Sequence, residues 1–594
     1  MVSPGVQYLV TNLPTIVFPL GALWYATNCL EAYTSVNIPR WTVVLAAGLS
    51  FPLHSVVTSA VADFKNRRRA AAMGAVLAPT VRDKWPFNLG ILARLIRSFY
   101  DGYPGDFLLE VIPKYGHTFY LAAGSDTRLL TMEPHHIKSI LATDFESWEK
   151  GSIFRDSMNS VLGTGVFNAD GEMWKFHRSM TRPFFNKERI TDFDIFDRHA
   201  LDAISQAQQR LKAGFPIDFQ DLASRFTLDS AAEFLFGQDV RSLSAGFPYP
   251  QGSPEATVFD NSHHPSNQFS HAFGEAQRMI AFRSFFGARW RAVEMRKDST
   301  KDHMQKINDY INPILNEAVR RKRELKAIKG DPSHSAEAEN MLEHLVNYTE
   351  DPVVLRDEIL NIMIAGRDTT AATLTFGLYM LSRHPEVFRR LRAEIIGQVG
   401  MRRPTYEELR NLKYLRAFIN ETLRLYPIVP FDLRTSTKPT VLPPTTPGQK
   451  PFYIPAGTRC LYSVFVMQRR TDLWGPDALE FDPDRFIDER VQKYLTPNPF
   501  IFLPFNAGPR ICLGQQFAYN EASFMLIRLL QSFSSVELAQ DAQPSGTIPP
   551  ASWALVKGIQ STEKIMPKSH LTMYIDGGLW VRLGDAVEEA KAAV

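Results

Sequence analysis

Ten residues near the C-terminal end of the chain, Phe505 to Gly514, restrict what it can become more than any other stretch. Pro504, Gly508 and Pro509 interrupt regular structure, and the run Gln516 to Ala522 reads as the start of a helix. Cys512 is thereby placed just ahead of a helix N-terminus, with Arg510 two residues before it. The helix dipole and a nearby cation both favour thiolate over thiol. With three cysteines in 594 residues a disulfide framework is excluded, so this sulfur needs another role. A thiolate held by its loop, beside Gly508 and Gly514 that let something flat approach the backbone, suits an axial ligand to haem iron. A buried structural cysteine is the alternative.

The spacing Phe-x-x-Gly-x-Arg-x-Cys-x-Gly, met at Phe505, Gly508, Arg510, Cys512 and Gly514, resembles the haem-ligand loop of the cytochrome P-450 superfamily. That resemblance implies haem b with Cys512 as the metal ligand, Arg510 on a haem propionate, and Phe505 over the sulfur side of the macrocycle. It also implies the fold: mainly α with small β-sheets, the haem lying between a long central helix and the Cys512 loop. The other cysteines are poorer candidates. Cys29 lies in an uncharged N-terminal stretch, and Cys460 follows the turn Ile454 to Thr458 in an expected strand.

Four further segments fit the same picture. A long apolar helix is expected from Leu355 through Leu381, with Gly366, Asp368, Thr369 and Thr370 in its middle. Gly there costs ~1 kcal/mol relative to Ala. A polar patch is one account. The other is room for a diatomic ligand, with Thr369 and Asp368 relaying protons as the catalytic pair. Trp174 and Arg178, four apart on one helix face, are by resemblance donors to the haem propionates, and His177 is expected at the surface. Glu421 and Arg424 share a helix face, and the resemblance implies that with Arg485 of the run Phe481 to Phe486 they form a buried structural network behind the Cys512 loop. The same i, i+3 spacing at Glu386/Arg389 and Glu407/Arg410 reads as solvated surface pairs.

The chain before these motifs differs in character. Residues Val2 to Leu30 and Trp41 to Ala62 carry no Asp, Glu, Lys or Arg, and each is long enough to span a bilayer, which needs ~20 residues. Lys65 and Arg67 to Arg69 follow, which places that end in the cytosol. Two spans, with a lumenal loop around Glu31 to Arg40, one span, or one span with an interfacial first stretch all remain open. Residues 1–77 are therefore expected to be a membrane anchor and 78–594 a single catalytic domain, with a short stiff linker from Ala78 to Phe87. Soft insertions are expected at Ser242 to Ser270 and Lys329 to Asn340, and a hairpin pairing Leu571–Ile575 with Leu579–Leu583. A net charge of +3 with 22% charged residues gives no sign of a nucleic-acid partner.

The segments Leu162 to Gly171, Ala365 to Thr370 and Pro504 to Ala518 resemble the fungal membrane-bound alkane and fatty-acid hydroxylases most closely. Gln468 departs from that branch, where His is usual. The resemblance covers roughly Lys84 to the C-terminus. It implies a monooxygenase that uses O2 on a small hydrophobic substrate such as a fatty acid, alkane or related lipid. Oxidation of a terpenoid or other secondary metabolite, or a haem-thiolate isomerase that needs no oxygen, are the alternatives. No second Gly-rich nucleotide-binding unit is present, so electrons are expected from a separate partner. The resemblance implies that this partner is a membrane-bound NADPH-cytochrome P-450 reductase, with both proteins in the endoplasmic reticulum membrane, in contact with lipid, and the catalytic domain cytosolic. Substrate choice is expected from Ser147–Phe167, Ser242–Ser270, the helix around Ile364, Ile428–Phe431 and Ser552–Ile559.

Overall fold

The computed structural model describes residues 2–34, 37–124, 126–186, 190, 193–329 and 340–586. Most of the insertion expected at Lys329 to Asn340 (330–339) lies outside them. Two N-terminal helices, α1 (Pro4–Thr34) and α2 (Arg40–Ala72), precede the catalytic body. The helices that shape its interior are α3 (Gly171–Thr181), α4 (Phe219–Phe236), α5 (Pro265–Arg283), α6 (Pro352–Arg383), α7 (Lys413–Leu425) and α8 (Gln515–Ser532).

Helix α6 is the axis of the body. Asp351 starts it by accepting from Val353 N at 2.8 Å and Val354 N at 3.4 Å, and Pro352 pre-sets the first helical φ. Its apolar residues face inward on nearly every side, as a core helix requires. Burying a Leu or Phe side chain contributes about 1.5–3 kcal/mol, and Leu360, Leu374, Phe376 and Leu378 are fully buried. Those terms outweigh the propensity cost of Gly366 and the threonines. Helices α4, α7 and α8 pack around α6.

The strands are short and serve as walls. They are β1 (Thr80–Val81), β2 (Thr118–Ala123), β3 (Asp126–Thr131), β4 (Trp148–Glu149), β5 (Ile217–Asp218), β6 (Phe431–Ser436), β7 (Thr440–Leu442), β8 (Phe452–Ile454), β9 (Arg459–Ser463), β10 (Phe533–Leu538), β11 (Pro567–Ser569), β12 (Met573–Ile575) and β13 (Trp580–Asp585). The largest sheet runs β1-β2-β3-β9-β6-β4. Cys460 sits in β9 opposite Leu129 and Arg434 and is fully buried. The stretch expected as a linker is part of this sheet: β1 pairs with β2, and Ala78 and Val81 are buried.

Three expectations about local structure need correction. The C-terminal hairpin does not form. Its turn does, with Gly577 and Gly578 at φ +73 and +84 and Gly578 N bonded to Ile575 O. However, β12 pairs backwards with β11, and β13 joins β10 and β5. Ser242–Ser270 is not wholly irregular: it contains the helix Pro254–Val258 and the first turns of α5. His177 is not at the surface. It is fully buried, its Nδ1 2.7 Å from Glu358 Oε2 of α6.

Among the described residues, α1 alone is long and apolar enough to cross a membrane. Helix α2 is of similar length, but Ser50, His54, Thr58 and Ser59 dilute its apolar part. Both helices leave large apolar side chains uncovered, Phe18, Trp24, Trp41 and Val44 among them. The start of α1 touches the body, through Gly5 N to Glu294 O (3.0 Å) and Ser3 Oγ to Met295 O (2.6 Å). The end of α2 does so as well, with Val76 N bonded to Pro451 O and Tyr453 N to Val76 O.

The expected charge network is fully buried. Arg424 donates to both oxygens of Glu421 at 2.7 and 2.8 Å, and to the carbonyls of Gln468, Ala478 and Glu480. Arg485 lies 3.4 Å from the same carboxylate and pairs with Asp477 at 3.0 Å. Removing one partner strands the others without water, at a cost of about 3–5 kcal/mol. Arg424→Met is expected to lower stability by that amount in denaturant titrations.

Candidate active site

The Cys512 loop is built from constraints on its own backbone. It begins where Leu503 N donates to Gln468 Oε1 at 2.8 Å. Asn506 adopts a left-handed φ of +62, which its short amide tolerates, and its Nδ2 donates to Asp432 Oδ2 at 2.9 Å. Gly508 has φ +70, and a Cβ there would lie 1.8 Å from the carbonyl oxygen of Leu141. Only glycine fits, and the cause is packing against that carbonyl rather than the approach of a flat ligand. Cys512 N closes the loop onto Phe505 O at 3.0 Å, and α8 starts three residues on. The Phe505 ring packs on Tyr519, centroids 5.0 Å apart.

Cys512 lies on the wall of a cavity of about 590 Å³; the other two cysteines do not. Burial raises the pKa of its thiol, opposed by the Gly514 N–H and by Arg178. The cation beside it is therefore Arg178, whose Nη1 donates to Ile511 O at 3.0 Å. Arg510, expected in that role, turns to Asp170 at 2.7 Å and lies 4.6 Å from the centre of the Trp174 ring.

One flank of the cavity gathers positive charge. Trp174 and Arg178 from α3 meet Arg510 there, together with two residues the motifs did not indicate, Arg434 of β6 and Lys150. Lys150 Nζ and Arg434 Nη1 donate to Asp432 at 2.7 and 3.0 Å. Despite burial, Arg434 and Lys150 hold Asp432 far below the usual carboxylate range. Burial and the neighbouring Arg434 bring Arg510 down to about 10, so it remains protonated at neutral pH. Among the described residues, Arg178, Arg434, Arg510 and Lys150 share the carboxylates of Asp170 and Asp432, and Arg155 bridges Asp170 and Glu149. Cations outnumber carboxylates there, and among the described residues the buried Nε atoms of Arg434 and Arg510 have no partner. That surplus fits the two propionates of a haem.

Helix α6 forms the opposite wall. Gly366, Thr369 and Thr370 line it, and a Cβ on Gly366 would meet nothing nearer than Ala231 Cβ at 3.5 Å. Thr369 Oγ1 donates to Ala365 O, the back-bond typical of a mid-helix threonine. Asp368 points elsewhere. It accepts from Arg367 at 2.9 Å and from Gln277 of α5 at 2.7 Å, and it is not part of the cavity wall. Beside Thr370 lies Glu521 of α8, fully buried, with neither oxygen completing a well-formed hydrogen bond. Burial pushes its pKa up to about 8, only partly offset by the Thr370 hydroxyl.

The remaining wall is chiefly apolar. Phe154, Met158, Leu162, Val166 and Phe167 line it as expected, as do Ile364, Ile428, Val429 and Phe431. Neither Ser242–Ser270 nor Ser552–Ile559 reaches it. Their places are taken by the amphipathic helix Leu89–Asp101, through Leu95 and Phe99, and by Lys568 to Thr572, the end of β11 and its turn into β12. The 3.6-residue periodicity of Leu89–Asp101 could have indicated the first; nothing local marks the second.

The sequence model of the Cytochrome P450 family matches residues 81–561. The chain belongs to the cytochrome P450 family. Among relatives, this P450 is 36% identical over 429 residues to cytochrome P450 monooxygenase pvhE of Talaromyces variabilis, covering 70% of this chain and 75% of that one. It is 37% identical to monooxygenase himC of Aspergillus japonicus, with 72% and 73% covered. The similarity to cytochrome P450 52A6 of Candida tropicalis is 34% over 575 residues, covering 92% and 98%. As a P450, the protein is a haem-thiolate monooxygenase that uses O2, a redox partner and a hydrophobic substrate.

Two outcomes follow from this geometry. Gly508→Ala should abolish haem-loaded protein, whereas Gly514→Ala, whose Cβ meets only Phe185 at 3.8 Å, should fold, as read by haem content and Tm. Glu521 binds a proton in the native state between its ordinary 4.5 and about 8, where the unfolded chain has released it. Stability therefore falls as pH rises through that window, by up to ~1.4 kcal/mol per unit. Glu521→Gln should flatten that slope in denaturation series run between pH 5 and 8.5.

Proposed function

We propose that this P450 hydroxylates C–H bonds of a fatty acid, alkane or related lipid, with Cys512 as the thiolate ligand of haem b. One observation carries the assignment: Cys512 alone of the three cysteines lines the cavity, which Thr369 lines as well. The haem supplies O2 activation and oxygen transfer. Trp174, Arg178, Arg434 and Arg510 hold its propionates, the last two with the donors they have free. Glu421, Arg424 and Arg485 keep the Cys512 loop in place. Thr369 positions a proton donor at the cavity wall. Asp368, tied to Arg367 and Gln277, serves as the acid behind that wall rather than within it.

The apolar lining, from Phe154 to Phe431, supports a hydrophobic chain as substrate and excludes water from the reacting end. Residues 1–77 act as the anchor and 78–594 as the catalytic domain. The arrangement that best accounts for the contacts at Gly5 and Val76 is a two-helix hairpin, with both outer ends at the body and the link between α1 and α2 on the far side. We place the body on the cytosolic face of the endoplasmic reticulum, supplied with electrons by a membrane-bound NADPH-dependent reductase.

The carbon monoxide complex of the reduced protein is the direct test. It should absorb at the thiolate-ligated position, and Cys512→Ala should abolish that band; a histidine-type spectrum in the unaltered protein would overturn the assignment. Thr369→Ala should keep haem but divert most reducing equivalents to peroxide, measured as NADPH consumed per product formed.

A further inference from the structure

One polar side chain of the cavity wall takes no part in the assignments above. His570 lies in the turn between β11 and β12 and lines the cavity. Its Nδ1 accepts from Leu571 N at 2.8 Å and from Thr572 N at 3.3 Å. An imidazole nitrogen that accepts from backbone N–H groups carries no proton, so the ring proton belongs on Nε2. The ring is held flat on Tyr574, centroids 5.0 Å apart and planes at 22°. Its orientation is therefore fixed from two sides.

Charged groups nearby do not make this ring a cation. Burial brings its pKa down to about 4. Of the four charges it faces, Asp368 is paired with Arg367 at 2.9 Å and Glu275 with Arg278 at 2.6 Å. The imidazole is neutral at pH 7, a fixed single donor. Among the described residues, no acceptor meets Nε2. The ring lines a chiefly apolar enclosure, where a donor left unmet is costly and discriminates against a ligand that cannot meet it.

We propose that His570 determines specificity by donating its Nε2–H to an oxygen of the substrate. The favoured substrates are then apolar chains that bear an acceptor oxygen, as an alcohol, a carbonyl or a carboxylate, over bare hydrocarbons of equal length. The inference rests on the reading of this cavity as the substrate site. Because the ring is a neutral donor, an alcohol, a carbonyl and a carboxylate can each accept from it, the carboxylate most strongly. Lys568, the nearest cation in sequence, has its ammonium on the carbonyls of Tyr100 and Gly102.

The test uses the full-length holoprotein and three probes, n-dodecane, dodecan-1-ol and dodecanoate, titrated against the haem spin state. The unaltered protein should bind both oxygenated probes about five- to tenfold more tightly than dodecane, the range of one neutral hydrogen bond. His570→Asn keeps an acceptor for Leu571 N, but its amide falls short of the Nε2 position. It should bring both oxygenated probes down to the level of dodecane. His570→Gln, whose amide reaches further, should recover part of the preference. The inference falls if the unaltered protein shows no preference, or if the Asn variant keeps it. Carbon monoxide spectra of the same samples separate the two readings: a thiolate band with an unchanged preference removes His570 alone, and loss of that band removes the site itself.

Discussion

The carboxylate of Glu421, sealed from solvent, is the group on which the rest of the site depends. Two arginines share it, Arg424 from the same helix and Arg485 from a segment some sixty residues on, and Asp482 N adds a third donor at 3.0 Å. A buried charge has only the partners its fold gives it, so the segments that supply those partners cannot drift independently. Arg424 reaches the carbonyl of Gln468; the Gln468 amide returns to the carbonyls of Leu423 and Arg424 and accepts from Leu503 N. The first residue of the Cys512 loop is thus hung on the same frame. Gln468, the departure from the related branch, has a full complement of partners where it stands.

A second frame meets the loop from the other side. Asp432 takes Lys150, Arg434, Tyr462 and Asn506 together, and so joins β6, β9 and the loop. One carboxylate sets both Arg434 and the left-handed kink ahead of Cys512. The result is a chamber in which positive charge gathers around Asp170 and Asp432 while most of the remaining lining is apolar. Such a chamber suits a cofactor with an anionic edge and leaves apolar lining for a hydrophobic chain.

How much of this the sequence carried depends on how local the signal was. The Cys512 loop, the α6 segment and the Glu421/Arg424 pair were legible because their functional spacing is a few residues along one element. Lys150 was not, since it lies 282 positions from the Asp432 that holds it and no spacing records that; Arg434 sits in no motif. The turn at Gly577 and Gly578 was correctly read as a turn, yet strand pairing is decided by available neighbours, and β10 and β11 were nearer partners than the two arms were to each other. His177 sits in a polar-looking run whose helix happens to face Glu358. In each miss the deciding contact came from another part of the chain.

The N-terminal helices do more than extend the chain. A body joined to its anchor by one flexible link can swivel about it, and its cavity mouth samples every direction. Here the start of α1 is hydrogen-bonded at Glu294 and Met295, and the end of α2 at Pro451 and Tyr453. Two separated fastenings remove free swivelling about a single pivot and leave only rotation about the line that joins them, as two hinge pins do for a door.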